Sequence, residues 1–206
     1  MLLSTTDFGS KNMKTKQVLG TLLVIVTLFF TSFPLISIGV APMGPPPPNG
    51  DWVVADNTAI NDTTIELNGN LSISNSGNLN LTNVTLIMNG NITVEGAFIL
   101  RNVTLIMNCS ANKEYGIVVE SSGVMHVLDY DNIPGTNDHS MINSGIPDGH
   151  HRYTFWVKSG SNFRMENSIL SECGYDPVYA TAPHLSRKAA LFIDANNTQI
   201  KNCTIN

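Results

Sequence analysis

Residues 77–89 read GNLNLTNVTLIMN and residues 96–108 read GAFILRNVTLIMN, a duplication at an offset of 19 residues whose last seven positions are identical. Weaker copies follow at residues 162–170 (NFRMENSIL) and 198–206 (TQIKNCTIN), and the joint between copies also repeats, as LNGNLSI and MNGNITV. Within each unit, apolar residues alternate: Leu79 and Leu81, then Val84, Leu86 and Met88. That period of two belongs to strands with one face in a core. No helical period lies between them. A unit of about 20 residues cannot bury its own apolar face and must stack on its neighbours. A propeller blade is about twice as long, and an antiparallel sandwich gives no reason for adjacent strands to be copies. The expected fold is therefore all-β, a parallel β-solenoid, with an N-terminal signal or transmembrane helix ahead of it. Asn83 and Asn102, and by weaker alignment Asn167 and Asn202, fall at one equivalent bend. Asn tolerates left-handed backbone angles, and stacked amides hydrogen-bond along the axis, so these four form a predicted structural ladder. Asn89 and Asn108 form a second predicted row.

The N[VSC][TI] bend with its flanking alternation resembles the repeats of the right-handed parallel β-helix proteins of the pectin-lyase-like superfamily, particularly the Asn- and Thr-rich repeat proteins of archaeal and bacterial cell surfaces. The resemblance covers roughly residues 57–206 and speaks for fold rather than activity. It implies an exported protein with a structural, adhesive or carbohydrate-binding role. The alternative it implies is the N-terminal part of a polysaccharide lyase or glycoside hydrolase. Lyases of the superfamily gather Ca²⁺-binding carboxylates and a basic residue on one outward face, and hydrolases use clustered Asp. Here only Asp148, Arg152, Glu172, Asp176, Arg187 and Lys188 offer such a cluster. The segment DGHH at Asp148 matches the hydrolase GHG segment only superficially, and the paired-Asp segment is missing, so no family catalytic residue carries over. The sequence leaves the enzyme question open and favours a binding role over catalysis within this chain.

Residues 18–41 are uncharged, with Lys11, Lys14 and Lys16 before them and no basic residue after them until Arg101. This asymmetry predicts an inside N-terminus and export of the rest. Residues 1–41 are accordingly a signal peptide, cleaved most plausibly after Gly39, or a membrane anchor. Residues 42–50, with four consecutive prolines, form a Pro-rich spacer. Residues 51–206 are the β-helix, expected to continue beyond Asn206 because the last copy stops partway through a rung. The predicted location is extracellular or at the cell surface. Residues 1–39 hold three of the 11 basic and one of the 16 acidic residues, so the formal charge of −5 becomes −7 for the exported part. An acidic chain with 13% charged residues lacks the basic face a nucleic-acid partner needs. The expected partners are a carbohydrate or a cell-surface protein, and the membrane through the N-terminal segment.

Between residues 129 and 153 the repeat stops, and the stretch reads as one long excursion from a single rung. A second excursion spans residues 173–188. Together they offer two projecting binding loops. No motif requires a cofactor. Oxygen ligands at Asp129, Asp131 and Asn137 or Asp138 suit a hard cation such as Ca²⁺, although EF-hand spacing is absent and a solvated polar turn is the simpler explanation. His139, with His150 or His151, is the candidate for a transition metal. Trp156, Tyr175 and Arg152 are the candidate ligand-binding residues, Trp156 and Tyr175 as exposed rings for stacking on sugars and Phe155 as a core residue. Nine Asn begin N-x-S/T. Of these, Asn61 and Asn196 are the expected glycosylation sites, because the ladder residues Asn83 and Asn102 are expected to be buried. Cys173 and Cys203 are candidates to pair in an oxidising exterior, with at least one cysteine then free or paired elsewhere; the alternative is three free, buried thiols.

Overall fold

A computed structural model describes residues 46–174 and 191–206 of the chain. The signal or anchor segment, the first part of the Pro-rich spacer and most of the second excursion, including Tyr175, Asp176, Arg187 and Lys188, lie outside them. No helix occurs among the described residues, so none there is long and apolar enough to cross a membrane.

The described chain is all-β and every strand pairing is parallel. The first sheet has the order β1 (Trp52–Val54), β3 (Leu71–Ile73), β5 (Ile92–Val94), β8 (Gly116–Val119), β11 (Thr154–Val157) and β14 (Leu191–Ile193). The second sheet is curled. Its long strands β2 (Asn57–Leu67) and β4 (Asn78–Met88) run around a bend, and beyond β4 the sheet continues as two limbs. One limb carries β6 (Ala97–Arg101), β9 (Val124–Leu128), β12 (Asn162–Glu166) and β15 (Asn197–Lys201); the other carries β7 (Thr104–Met107), β10 (Met141–Ser144), β13 (Ile169–Leu170) and β16 (Thr204–Ile205). Consecutive strands thus visit three faces before the chain returns one strand further along.

The alternating residues close the interior. Leu86, Leu105, Ile142 and Leu170 stack in one inward column through the pairing of β4, β7, β10 and β13, and Leu79, Phe98, Met125 and Phe163 in another. All eight are fully buried, each worth about 1.5–3 kcal/mol of transfer from water. The ring of Phe155 meets that of Phe163 edge-on at 5.5 Å across the interior.

The bends follow the predicted asparagines. Asp62, Asn83, Asn102, Asn167 and Asn202 have φ of 53°, 55°, 50°, 47° and 52°. Asn83 Nδ2 donates to Asp62 Oδ1 (2.9 Å), Asn102 to Asn83 (2.9 Å) and Asn202 to Asn167 (3.2 Å). The second row, Asn68–Asn89–Asn108, joins at 2.8 and 2.6 Å. A third row, Asp51–Asn70–Asn91, was not among the expectations; Asn70 and Asn91 donate down it at 3.1 and 3.3 Å. The ladders stand at the surface. Asn83 is exposed and Asn102 half-buried, because the bend points its side chain outward along the axis rather than into the core. Burial therefore does not separate Asn83 from the exposed Asn61 and Asn196; engagement of its amide does. Replacing Asn102 with Gly is expected to cost less stability than replacing it with Ala, by about 1 kcal/mol, since only the alanine adds the left-handed backbone penalty. Urea unfolding of the two variants measures this, and equal losses would contradict the strained bend.

The stretch 129–153 is two connections rather than one. Met141–Ser144 pairs with both β7 and β13 and buries Ile142 and Ser144. Four residues with a single buried apolar side chain, Ile142, carry too little periodicity to stand out between polar loops.

Candidate functional site

The outward face of the first sheet combines aromatic and charged groups. Pairing along the sheet aligns Val53, Ser72, Thr93, Val118, Trp156 and Phe192 in one outward column. Phe155 and Val157, the neighbours of Trp156 on β11, point inward and are buried, as strand alternation requires. Trp156 is half-buried, with its ring 6.4 Å from that of Phe192 and tilted by 60°. Its indole Nε1 donates to Asp194 Oδ2 at 3.0 Å, and Lys158 Nζ lies 4.8 Å from its ring centroid. Lys158 Nζ in turn donates to both carboxylate oxygens of Glu120 at 2.7 and 2.8 Å. Glu120, Lys158 and Asp194 each follow the last residue of β8, β11 and β14, so three successive rungs hold them in register. Beside them, Asn75, Glu95, Glu120, Ser121 and Ser122 line an open cleft of about 410 Å³. An aromatic face rimmed by carboxylates, an ammonium and hydroxyls can stack on an apolar sugar face while hydrogen-bonding its hydroxyls. Of this group the sequence singled out only Trp156. Lys158 and Glu120 are 38 residues apart, and their meeting depends on connection lengths that the 19-residue copy does not set.

Arg152 is held in its own loop. Its Nε donates to Gly149 O at 3.0 Å and lies 3.5 Å from Glu172 Oε2. His151 Nδ1 sits 2.7 Å from Asp148 Oδ2, and the backbone N–H of His150, ahead of the His151 contacts, holds the Asp148 carboxyl below its ordinary range. Tyr153 is a core residue, its single hydroxyl proton shared between Ser171 O at 3.1 Å and Ile142 O at 3.2 Å; burial pushes that hydroxyl well above the usual tyrosine range.

All three cysteines are free thiols. Cys203 follows the bend at Asn202, whereas Cys173 bridges to Tyr153 on another side of the coil. The candidate pair is thus not formed, in keeping with the alternative of three free thiols: a separation of about one rung does not bring residues to one corner when connections differ in length. Burial pushes the Cys173 thiol up to about 12 and raises those of Cys109 and Cys203, which deprives them of nucleophilic thiolate.

On the curled sheet, His126 lies between Ile99 and Arg164 in the pairing of β6, β9 and β12. Burial lowers its pKa, and the Arg164 guanidinium, bonded at 2.5 Å, holds the Glu166 carboxyl below its usual range. For His126 the unfolded chain binds more protons, so stability falls as pH drops through the unfolded value of about 6.5. For Glu166 the stabilisation is present above the unfolded value of about 4.3 and is lost as pH falls through the depressed folded value. Both shifts predict a Tm that declines from pH 7 towards pH 4, with His126→Gln flattening the part between pH 7 and 5.5. A flat Tm profile for the wild type contradicts this assignment.

The first connection, between β9 and β10, brings ligand atoms of Asp129, Asp131 and Asp138 within 4.8 Å of one another. His139 is not in that group; it lines a small cleft with Asn167 and Asn202. Asn137 is exposed, and His150 and His151 sit on the next connection. Among the described residues this is the one such cluster of three.

The described residues thus define an all-β protein of parallel, curled sheets with an aromatic and charged outer face. No protein family, curated protein or solved structure compared with the chain matches it.

Proposed function

We propose that the chain is a right-handed parallel β-helix of pectin-lyase-like architecture, exported through the apolar segment at residues 18–41 and placed at the cell surface, where it binds carbohydrate. The observation that carries the binding reading is the Trp156–Phe192 pair with Lys158, Glu120 and Asp194 fixed around it on three successive rungs. The parallel register supports the architecture, and the basic-then-neutral flanks of the apolar segment support export. The same geometry supports a structural or adhesive role, in which a coil of stacked rungs presents its outer face and loops to a polysaccharide or a neighbouring surface protein. The thiols, raised by burial, and Arg152, tied to Gly149 O and Glu172, support binding over catalysis.

A glycan array of neutral and acidic polysaccharides, probed with the chain lacking residues 1–41, tests this. Saturable binding that Trp156→Ala abolishes supports it. Binding unaffected by Trp156→Ala, or no binding to any glycan, overturns it, and release of unsaturated or reducing oligosaccharides would assign the chain to the depolymerising enzymes instead.

A further inference from the structure

The asparagine ladder changes character at one rung. At each bend a side-chain amide donates to the oxygen of the rung before it, and Asn167 Nδ2 follows the rule by donating to Asp129 Oδ2 at 3.0 Å. Pairing of Arg101 with Leu128 places Asp129 next in line after Asn102. A carboxylate has no N–H to give, so Asp129 cannot donate to Asn102 as Asn102 does to Asn83. Asp129 is also 1% exposed, and its Oδ1 has no hydrogen-bond partner. A buried carboxylate oxygen without a partner is costly and calls for a positive charge.

The loop that leaves the ladder at this point supplies two more carboxylates. Ligand atoms of Asp131 and Asp138 come within 4.8 Å of that of Asp129. Each acid is tethered through one oxygen: Asp131 Oδ1 accepts from Ile133 N at 2.9 Å, Asp138 Oδ1 from the Thr136 hydroxyl, and Asp129 Oδ2 from Asn167. The base of the loop is closed by Tyr130 N donating to Asp138 O at 3.1 Å. Each of these bonds engages one oxygen of its acid and leaves the second outside it. Three acids held this close repel unless a cation lies between them.

We propose that Asp129, Asp131 and Asp138 bind a Ca²⁺ ion where the asparagine ladder is interrupted. The all-oxygen donor set, with no nitrogen or sulfur in the group, fits a hard cation and not zinc or copper. An exposed loop that lets water complete six to eight ligands favours Ca²⁺ over Mg²⁺, which demands a tight octahedron. The ion would tie the excursion to the ladder, closing by charge a row that elsewhere is closed by amides. The site is on the curled sheet's bend, and its existence does not depend on sugar binding at Trp156.

The test is thermal unfolding of the chelator-treated full chain, in excess EGTA, with CaCl₂ and with MgCl₂. With Ca²⁺ at about 100 times its Kd, Tm should rise by about 5–10 °C, and Mg²⁺ should give less than a third of that. Asp131→Asn, at an exposed position, should fold normally and lose the Ca²⁺ shift. Asp129→Asn should also lose it, yet melt above the wild type in EGTA, because its new amide can donate to Asn102 and complete the ladder. No Ca²⁺ shift in the wild type, a shift that survives both substitutions, or an equal shift with Mg²⁺ would overturn the proposal.

Discussion

Gly96→Ala is expected to lose about 3 kcal/mol of stability, on the order of 6–12 °C in Tm, although it adds a single methyl group at a turn. A Cβ there would sit 2.2 Å from the carbonyl oxygens of both Gly77 and Ser74. Both are backbone atoms and neither can swing aside. Both are engaged in hydrogen bonds: Gly77 O accepts from Ala97 N of the next rung at 2.9 Å, and Ser74 O accepts from Gly77 N within its own turn at 2.7 Å. The same position in the rung before and the rung after is Gly77 and Gly123, by the pairing of Asn78 with Ala97 and of Ala97 with Val124. At each, the added carbon would meet a carbonyl oxygen at 2.2 Å. A column of glycines thus lets the corner between the two sheets stack. Gly135→Ala is the control: nothing lies within 4 Å of its added carbon, and its φ of 90° costs only about 1 kcal/mol. Thermal melts of the two variants distinguish them. Equal losses would show that the corner is not packed as described.

Trp156→Ala is expected to weaken sugar binding by at least tenfold, about 1.4 kcal/mol or more, while leaving the fold intact. The ring lies outside the core, and its contacts are with Phe192, Asp194 and Lys158. Loss of the stacking surface removes the apolar part of recognition. It also frees Lys158 and Asp194 from the ring that positions them. Trp156→Phe keeps a stacking face and loses only the indole hydrogen bond to Asp194, so its loss should be closer to threefold. Calorimetric titration of both variants with a glycan that binds the wild type checks the ranking. An alanine variant as tight as the phenylalanine variant would remove Trp156 from the site.

The duplicated NVTLIMN made the stacking of parallel strands legible, and Asn at its first position marked the bends where φ turns positive. Copies 19 residues apart reappear as adjacent strands in perfect register at Thr85 with Thr104 and Met88 with Met107. Beyond them the spacing along the ladder grows to 38 and 35 residues, and there the sequence loses its grip. Local periodicity says which side chains point inward; it does not say how long a detour the chain takes before rejoining the stack. For that reason β10 does not stand out as a strand, whereas the Asn70–Asn91 row, 21 residues apart, lies within the repeated joint and is open to the same reading as the other rows. Trp156 was legible as an outward ring because Phe155 and Val157 alternate with it. Its partners Glu120 and Asp194 come from other rungs and became visible only with the register. The acids of the first connection were legible as a group, but the orphaned oxygen of Asp129 depends on its burial and on the ladder beneath it.

The chain has two tryptophans, and they separate the core from the proposed site. Trp52 is 1% exposed and its Nε1 lacks a partner, so Trp52→Phe removes an unsatisfied donor while keeping an aromatic in the core, and leaves Trp156 as the sole indole. Fluorescence titration of that variant with a glycan bound by the wild type measures the central claim directly. The account predicts a saturable change in Trp156 emission whose midpoint matches the Kd obtained by calorimetry. Binding of the glycan at that Kd with no change in Trp156 emission would place the sugar elsewhere and contradict the account.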